Sequence, residues 1–286
     1  MKTFQIILFS MLSLAPNLVQ ASPLVIDGRD AKKNEYPAVT SIELFKGNGM
    51  SLCTATFISD NTLLTAAHCV YGYQDDDIIL PKDFKIKKIL IHEAYKNIKE
   101  QEKNGMGGYE YLKIAYDMAL IVMDGSSSNV YMKTSTSPKP GSAIIVGYGG
   151  KNLLTVAQMN QKTDESIGIK RIGKLYIEEV NTLGRIDSSV RVFNARHWYS
   201  FTDMYSAAYG EKTSITSRGD SGGPLIQNGK VVGVISSTDA TQQDATTVYN
   251  MTAYFAGLHS GIFADLCDEA KKAGSSIWET GFSIRI

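Results

Sequence analysis

Gly219-Asp220-Ser221-Gly222-Gly223-Pro224-Leu225 sets one serine among glycines, with Asp220 as the only charge in the heptapeptide. Glycines clear space for a close neighbour and permit positive φ, so this backbone suits the approach of another group. A carboxylate here calls for a cation nearby, because an isolated charge away from water is costly. A serine hydroxyl alone is a poor nucleophile. It becomes a good one when a base lies in hydrogen-bond reach and a third group orients that base.

Two other stretches offer those groups. Thr65-Ala66-Ala67-His68-Cys69 puts a histidine at a strand end, tethered by the adjacent cysteine. Tyr116-Asp117-Met118-Ala119-Leu120-Ile121-Val122 puts an acid at the head of an apolar strand, where it must accept hydrogen bonds to be tolerated. Each signal alone has a plain structural reading: a packed histidine, a capping aspartate, a glycine turn. Together they supply nucleophile, base and orienter in the chain order His, Asp, Ser, the set that acyl transfer requires.

The rest of the chain is consistent with an exported protein. Its 286 residues suggest one large or two modest domains, and 29 Lys+Arg against 29 Asp+Glu give no basic excess for nucleic acid. Lys2, the apolar run Phe4 to Leu14 and Val19-Gln20-Ala21 have the layout of a cleaved signal peptide over residues 1–21. The run is shorter than the roughly 20 residues of a membrane span. No later stretch is longer, so a soluble, secreted or periplasmic protein is expected, without a membrane partner and monomeric. Of three cysteines, Cys53 and Cys69 enclose a short loop and make the natural disulfide. Cys267 shares a helical face with Ile262, Phe263, Leu266 and Ala270, and is expected to be a packed, inert thiol.

Short strands are expected at Val39 to Leu44, Ser51 to Leu64, Phe84 to Ile91, Met118 to Met123, Ala143 to Val146, Ile167 to Tyr176, Ser188 to Phe193, Leu225-Ile226 and Lys230 to Ser236. Lys96 to Tyr109 is polar and contains three glycines, so it reads as an exposed loop. Thr134 to Gly141, with Pro138 and Pro140, is the linker candidate. A helix from about Ser260 to Lys272, stopped at Gly274, ends the core. Strands at short intervals without intervening helical patterns indicate an all-β sandwich or barrel.

The three contexts of His68, Asp117 and Ser221 resemble the chymotrypsin-like (trypsin-fold) serine peptidases, from Val25 to about the terminal helix. Ile91-His92-Glu93-Ala94-Tyr95 and Gly147-Tyr148-Gly149 are lesser matches. The resemblance implies two Greek-key six-stranded β-barrels with the site between them. It implies an N-terminal barrel over 25–133, a linker over 134–141, a C-terminal barrel over 142–257, and a helix and tail over 258–286. It implies His68 as general base, Asp117 as its orienting partner and Ser221 as nucleophile, with the amides of Gly219 and Ser221 as the oxyanion hole. Cys53 and Cys69 match the family disulfide beside the catalytic histidine, and Ser236 the serine that supports the aspartate. The chain order weighs against subtilisin-like enzymes, and no helix pattern follows the serine as in α/β-hydrolases. A single disulfide is sparse for an animal digestive enzyme and closer to a bacterial member.

The resemblance carries finer expectations too. Val25-Ile26-Asp27-Gly28 resembles the family's mature start, so residues 22–24 read as a short propeptide. Cleavage of Leu24–Val25 would free an α-ammonium to reach Asp220; the rival partner is the adjacent Arg218. The specificity pocket aligns with Ile215 at its floor, Ser236, and Thr238 and Thr247 at its walls. No acid stands at the floor, which favours small or medium apolar side chains over Arg or Lys. Asp75-Asp76-Asp77 reads as a solvated turn, and no histidine has metal spacing, so no metal or cofactor is expected. The expected partners are protein or peptide substrates. A non-catalytic homologue using the same scaffold to bind is the alternative class.

Overall fold

The structure is a computed structural model that describes residues 28–47, 49–106, 110–125, 128–150, 167–177, 179–182, 191–200, 216–242, 248–258 and 261–277. Its strands form two curled sheets. The first contains β2 (Val39–Lys46), β3 (Gly49–Ser59), β4 (Thr62–Thr65), β5 (Ile78–Ile79), β6 (Ile86–Ile91) and β7 (Ala119–Met123), in the order β5-β2-β3-β4-β7-β6. The second contains β1 (Arg29–Asp30), β8 (Gly141–Gly147), β9 (Arg171–Ile177), β10 (Glu179–Thr182), β11 (Arg191–Ser200), β12 (Pro224–Gln227), β13 (Lys230–Gln242) and β14 (Val248–Gly257). Its order is β1-β9-β8-β12-β13-β14-β11-β10, with every pair antiparallel.

The expected all-β architecture with a terminal helix is what forms, although the second sheet has eight strands rather than six. The single apolar stretch Ser51 to Leu64 is divided into β3 and β4, because Asp60 and Asn61 turn the chain between them. β4 and β7 are buried along their whole length, which is why Ala119–Met123 reads as an unbroken apolar run rather than an alternating one. Helix α4 (Gly261–Lys272) packs Ile262, Phe263 and Leu266 into the same core, against β6 and β7. Each such fully buried side chain contributes roughly 1.5–3 kcal/mol. Cys267 is buried and free on this helix, and burial pushes its thiol up to about 12.

The expected loop at Lys96 to Tyr109 is corrected: Glu93–Lys103 is an α-helix, α2 once α1 (Ala67–Val70) is counted, and α3 covers Glu110–Tyr116. Polarity alone suggested a loop. The overlooked signals are Tyr95 and Ile98, three apart and both buried, and the ion pairs Lys96–Glu93, Lys99–Glu102 and Lys103–Glu100 at i,i+3. Lys113 on α3 joins Glu102 at 2.9 Å, tying the two helices together. The segment at 134–141 lies along the second sheet: Thr134 bridges to Val231, and Lys139 exchanges hydrogen bonds with Gln227.

Candidate active site

His68 follows β4 directly on the one-turn helix α1, and Asp117 follows α3 at the head of β7. Because β4 and β7 are paired neighbours, their ends bring the two residues together. Asp117 Oδ2 lies 2.7 Å from His68 Nδ1, and its Oδ1 accepts the His68 backbone N–H at 2.8 Å. Ser236 Oγ donates to the same Oδ2 at 2.6 Å. The aspartate is 3% exposed, so these donors are what make its burial tolerable. Since a carboxylate only accepts, it fixes the proton on Nδ1 and leaves the Nε2 lone pair free for a proton from elsewhere. Ser236 reaches across from the second sheet. A register shift in β13 between Ile235 and Ser237 re-aims its side chain, as bulges do.

Burial disfavours the charged imidazole of His68, but the charge of Asp117 and its hydrogen bond outweigh that, so its pKa stands above the ordinary value. The positive charges of Lys113 and Lys99 push the other way. The α2–α3 pair therefore acts electrostatically on the imidazole.

The disulfide Cys53–Cys69 joins β3 to α1. Cys69 Sγ lies 3.7 Å from His68 Nε2 and 3.7 Å from the Ser221 carbonyl, so the serine segment and the imidazole flank one sulfur. The Thr54 amide also holds that carbonyl, at 2.8 Å. Among the described residues' hydrogen bonds, none joins Ser221 Oγ to His68. The grouping Cys53, His68 and Cys69 has metal-ligand elements, but both sulfurs are committed to the disulfide.

The chain from Ser217 to Gly223 is held tightly. The Asp220 amide donates to the Ser217 carbonyl at 3.1 Å across a turn whose Gly219 has φ +100°. Gly150 N–H donates to the Arg218 carbonyl at 3.0 Å. Gly222, at φ +84°, sits where a Cβ would lie 2.2 Å from the Thr54 carbonyl and the Thr65 hydroxyl. Only glycine fits there. Among the described residues the amides of Gly219 and Ser221 donate to no protein acceptor, leaving two N–H groups available to another oxygen.

Asp220 is fully buried. Its Oδ1 accepts the Gly149 amide at 2.7 Å, and its Oδ2 accepts the Ser217 amide at 2.8 Å and the Ser217 hydroxyl at 3.3 Å. Burial raises its pKa to about 6 in spite of these bonds, and the cation whose field reaches it is Arg171. Arg218, the rival partner, is exposed, whereas Arg171 is buried and donates to the Gly149 carbonyl at 2.6 Å. Thr54, Ser217 and Arg171 join the site without being among the residues that the sequence marks. Ser217 and Thr54 carry no local signal of their roles, and Arg171 lies in a strand where nothing local marks it as buried. Of the pocket residues, Ser236 lies against Asp117. Ile215 and Thr247 lie outside the described residues, as does Val25; Thr238 lies in β13, its side chain not described.

Two curled antiparallel sheets, a histidine–carboxylate pair at the end of one and a glycine-flanked serine on the other define a trypsin-like fold. The chain belongs to the trypsin family, whose sequence profile, "Trypsin", matches residues 25–258. It is 24% identical over 264 residues to human chymotrypsin-like elastase family member 1, covering 86% of this chain and 95% of the relative. It is 21% identical over 228 residues to a trypsin of Saccharopolyspora erythraea, covering 74% and 86% respectively. Among solved structures, the scabies mite inactivated protease paralogue S-D1 aligns at TM-score 0.55 and 17% identity, over 86% of this chain and 97% of that one. Mouse neuropsin, a serine protease, aligns at TM-score 0.53 and 17% identity, over 87% and 99%.

Proposed function

We propose that the protein is a secreted serine endopeptidase that hydrolyses peptide bonds through an acyl-enzyme intermediate. The observation that carries this reading is the 2.7 Å contact of Asp117 with His68 Nδ1, which leaves the Nε2 lone pair free to act as a base, with Cys69 Sγ 3.7 Å both from Nε2 and from the Ser221 carbonyl. In the first step His68 Nε2 takes the proton of the Ser221 hydroxyl as its oxygen attacks the substrate carbonyl. Asp117 holds the ring and stabilises the imidazolium that forms. The amides of Gly219 and Ser221 receive the oxyanion, a charge present only in the transition state and the tetrahedral intermediate. His68 returns the proton to the leaving amine, and water repeats the sequence on the acyl-enzyme.

The absence of an acid at Ile215, with Thr238 and Thr247 as walls, favours cleavage after small or medium apolar residues. Removal of residues 1–21 on export and of 22–24 on maturation is part of the same reading. The new Val25 ammonium would then supply Asp220 with its cation. Secretion accords with the disulfide and with the apolar leader, and the sparse disulfide content favours a bacterial source. The expected form is a monomer with no cofactor, acting on protein or peptide substrates.

A second reading is favoured by one observation: a solved structure of similar fold is an inactivated protease paralogue. In that case the scaffold binds without turning over. A fluorophosphonate probe separates the two. Covalent labelling of the wild type with none of Ser221→Ala supports the peptidase, and a folded wild type that stays unlabelled supports the binding module.

A further inference from the structure

We propose that Thr54 is a positioning residue for the oxyanion pocket, a role that rests on reading the Gly219 and Ser221 amides as its donors. Thr54 lies on β3 in the first sheet and is fully buried, yet its polar atoms serve the second sheet's catalytic loop. Its hydroxyl donates to the Gly219 carbonyl at 2.9 Å and accepts the Tyr148 amide at 3.1 Å. These roles are fixed, because a carbonyl can only accept and a backbone amide can only donate. Its own amide holds the Ser221 carbonyl at 2.8 Å, and its carbonyl accepts the Thr65 hydroxyl at 2.8 Å.

One residue thus grips both peptide units that follow the two oxyanion donors. The Gly219 carbonyl is fixed by the side chain and the Ser221 carbonyl by the main chain. The Arg218 carbonyl, on the other side of Gly219, is held by the Gly150 amide. Gly219, at φ +100°, has no side chain to restrain it, so these clamps decide which way its amide points. The Tyr148 amide is followed by the Gly149 amide, which donates to Asp220, so the same hydroxyl registers the segment that holds the buried carboxylate.

The test compares Thr54→Val, which keeps the shape and removes the hydroxyl, with Thr54→Ser, which keeps the hydroxyl. Thr54→Ala serves as a second hydroxyl-free variant should valine not fold. The expected result is a fall in kcat and in fluorophosphonate labelling rate of about 10–100-fold for Val or Ala, below the loss of a whole oxyanion donor. KM should stay within about twofold, and serine should recover most of the rate. Wild-type kcat in both hydroxyl-free variants would overturn the proposal. So would a loss in serine equal to that in valine, or a loss carried by KM. If wild-type protein neither hydrolyses nor labels, the peptidase reading fails by itself, and the inference is then read by amide NMR. The Gly219 resonance should move in Thr54→Val and return in Thr54→Ser, and an unmoved resonance would overturn it.

Discussion

The Asp220 carboxylate and the Gly149 amide are joined at 2.7 Å, in a space so close that a Cβ on residue 149 would lie 2.6 Å from the carboxyl carbon. Gly147 is under the same constraint, with its Cβ position 2.1 Å from Asp220 Oδ1. Glycine at both positions is a consequence of where the carboxylate is buried. Gly149→Ala should destabilise the fold by about 1–3 kcal/mol through overpacking, measured by urea denaturation. An unchanged midpoint would mean that the two segments are not packed as described.

Asp220 should also leave a signature in stability against pH. Its folded pKa of about 6 is above its ordinary 3.8, so the native state holds the proton more tightly than the unfolded one. Its contribution is therefore fully present below the unfolded value, falls as pH rises between about 4 and 6, and is flat above. The size is on the order of 3 kcal/mol. Asp220→Asn should remove that slope. A form beginning at Val25 should lose it too if the new ammonium pairs with the carboxylate, because the pKa then drops. Denaturation at a series of pH values reads both.

The His68 imidazole should titrate above the ordinary histidine value, because Asp117 outweighs burial there. Only the neutral imidazole accepts the serine proton, so kcat/KM should rise with pH through a midpoint above about 6.5. Asp117→Asn removes the raising charge and the tautomer constraint together. It should move that limb to lower pH and reduce kcat by about 10⁴-fold. Lys113→Gln should move the limb slightly upward, because Lys113 disfavours the imidazolium.

Asn61 ties the segment just after α4 to the first sheet. Its Nδ2 donates to the Gly274 carbonyl at 2.9 Å, and its Oδ1 accepts the Ser276 amide at 2.9 Å and the Ser276 hydroxyl at 3.0 Å. The residue is 8% exposed. Asn61→Ala should cost about 1–3 kcal/mol by leaving buried groups unpaired. It should also speed proteolytic trimming after α4, checked by mass spectrometry of a timed digest.

Much of the architecture was legible because its words are short-range. Apolar runs between turns marked most of the strands, and the face Ile262, Phe263, Leu266, Cys267 and Ala270 marked the terminal helix, where all five are buried. The pairing of His68 with Asp117, 49 residues apart, was open to the argument that a buried carboxylate needs a donor, whereas Ser236, 119 residues from Asp117, was legible only through resemblance. The remaining features depend on burial that no local pattern reveals. Thr54 looks like any strand-forming threonine, and its work is done by one hydroxyl reaching 165 residues along the chain. Arg171 looks like a surface charge, and Glu93–Lys103 hid its helix because only two of its residues face inward.

The most direct measurement is the intact and peptide mass of purified protein after reaction with a fluorophosphonate, run beside Ser221→Ala and His68→Ala. One adduct located on Ser221, absent from both variants, is the result that a histidine-activated serine predicts. A folded wild type without an adduct, or an adduct that persists in His68→Ala at the wild-type rate, would contradict it.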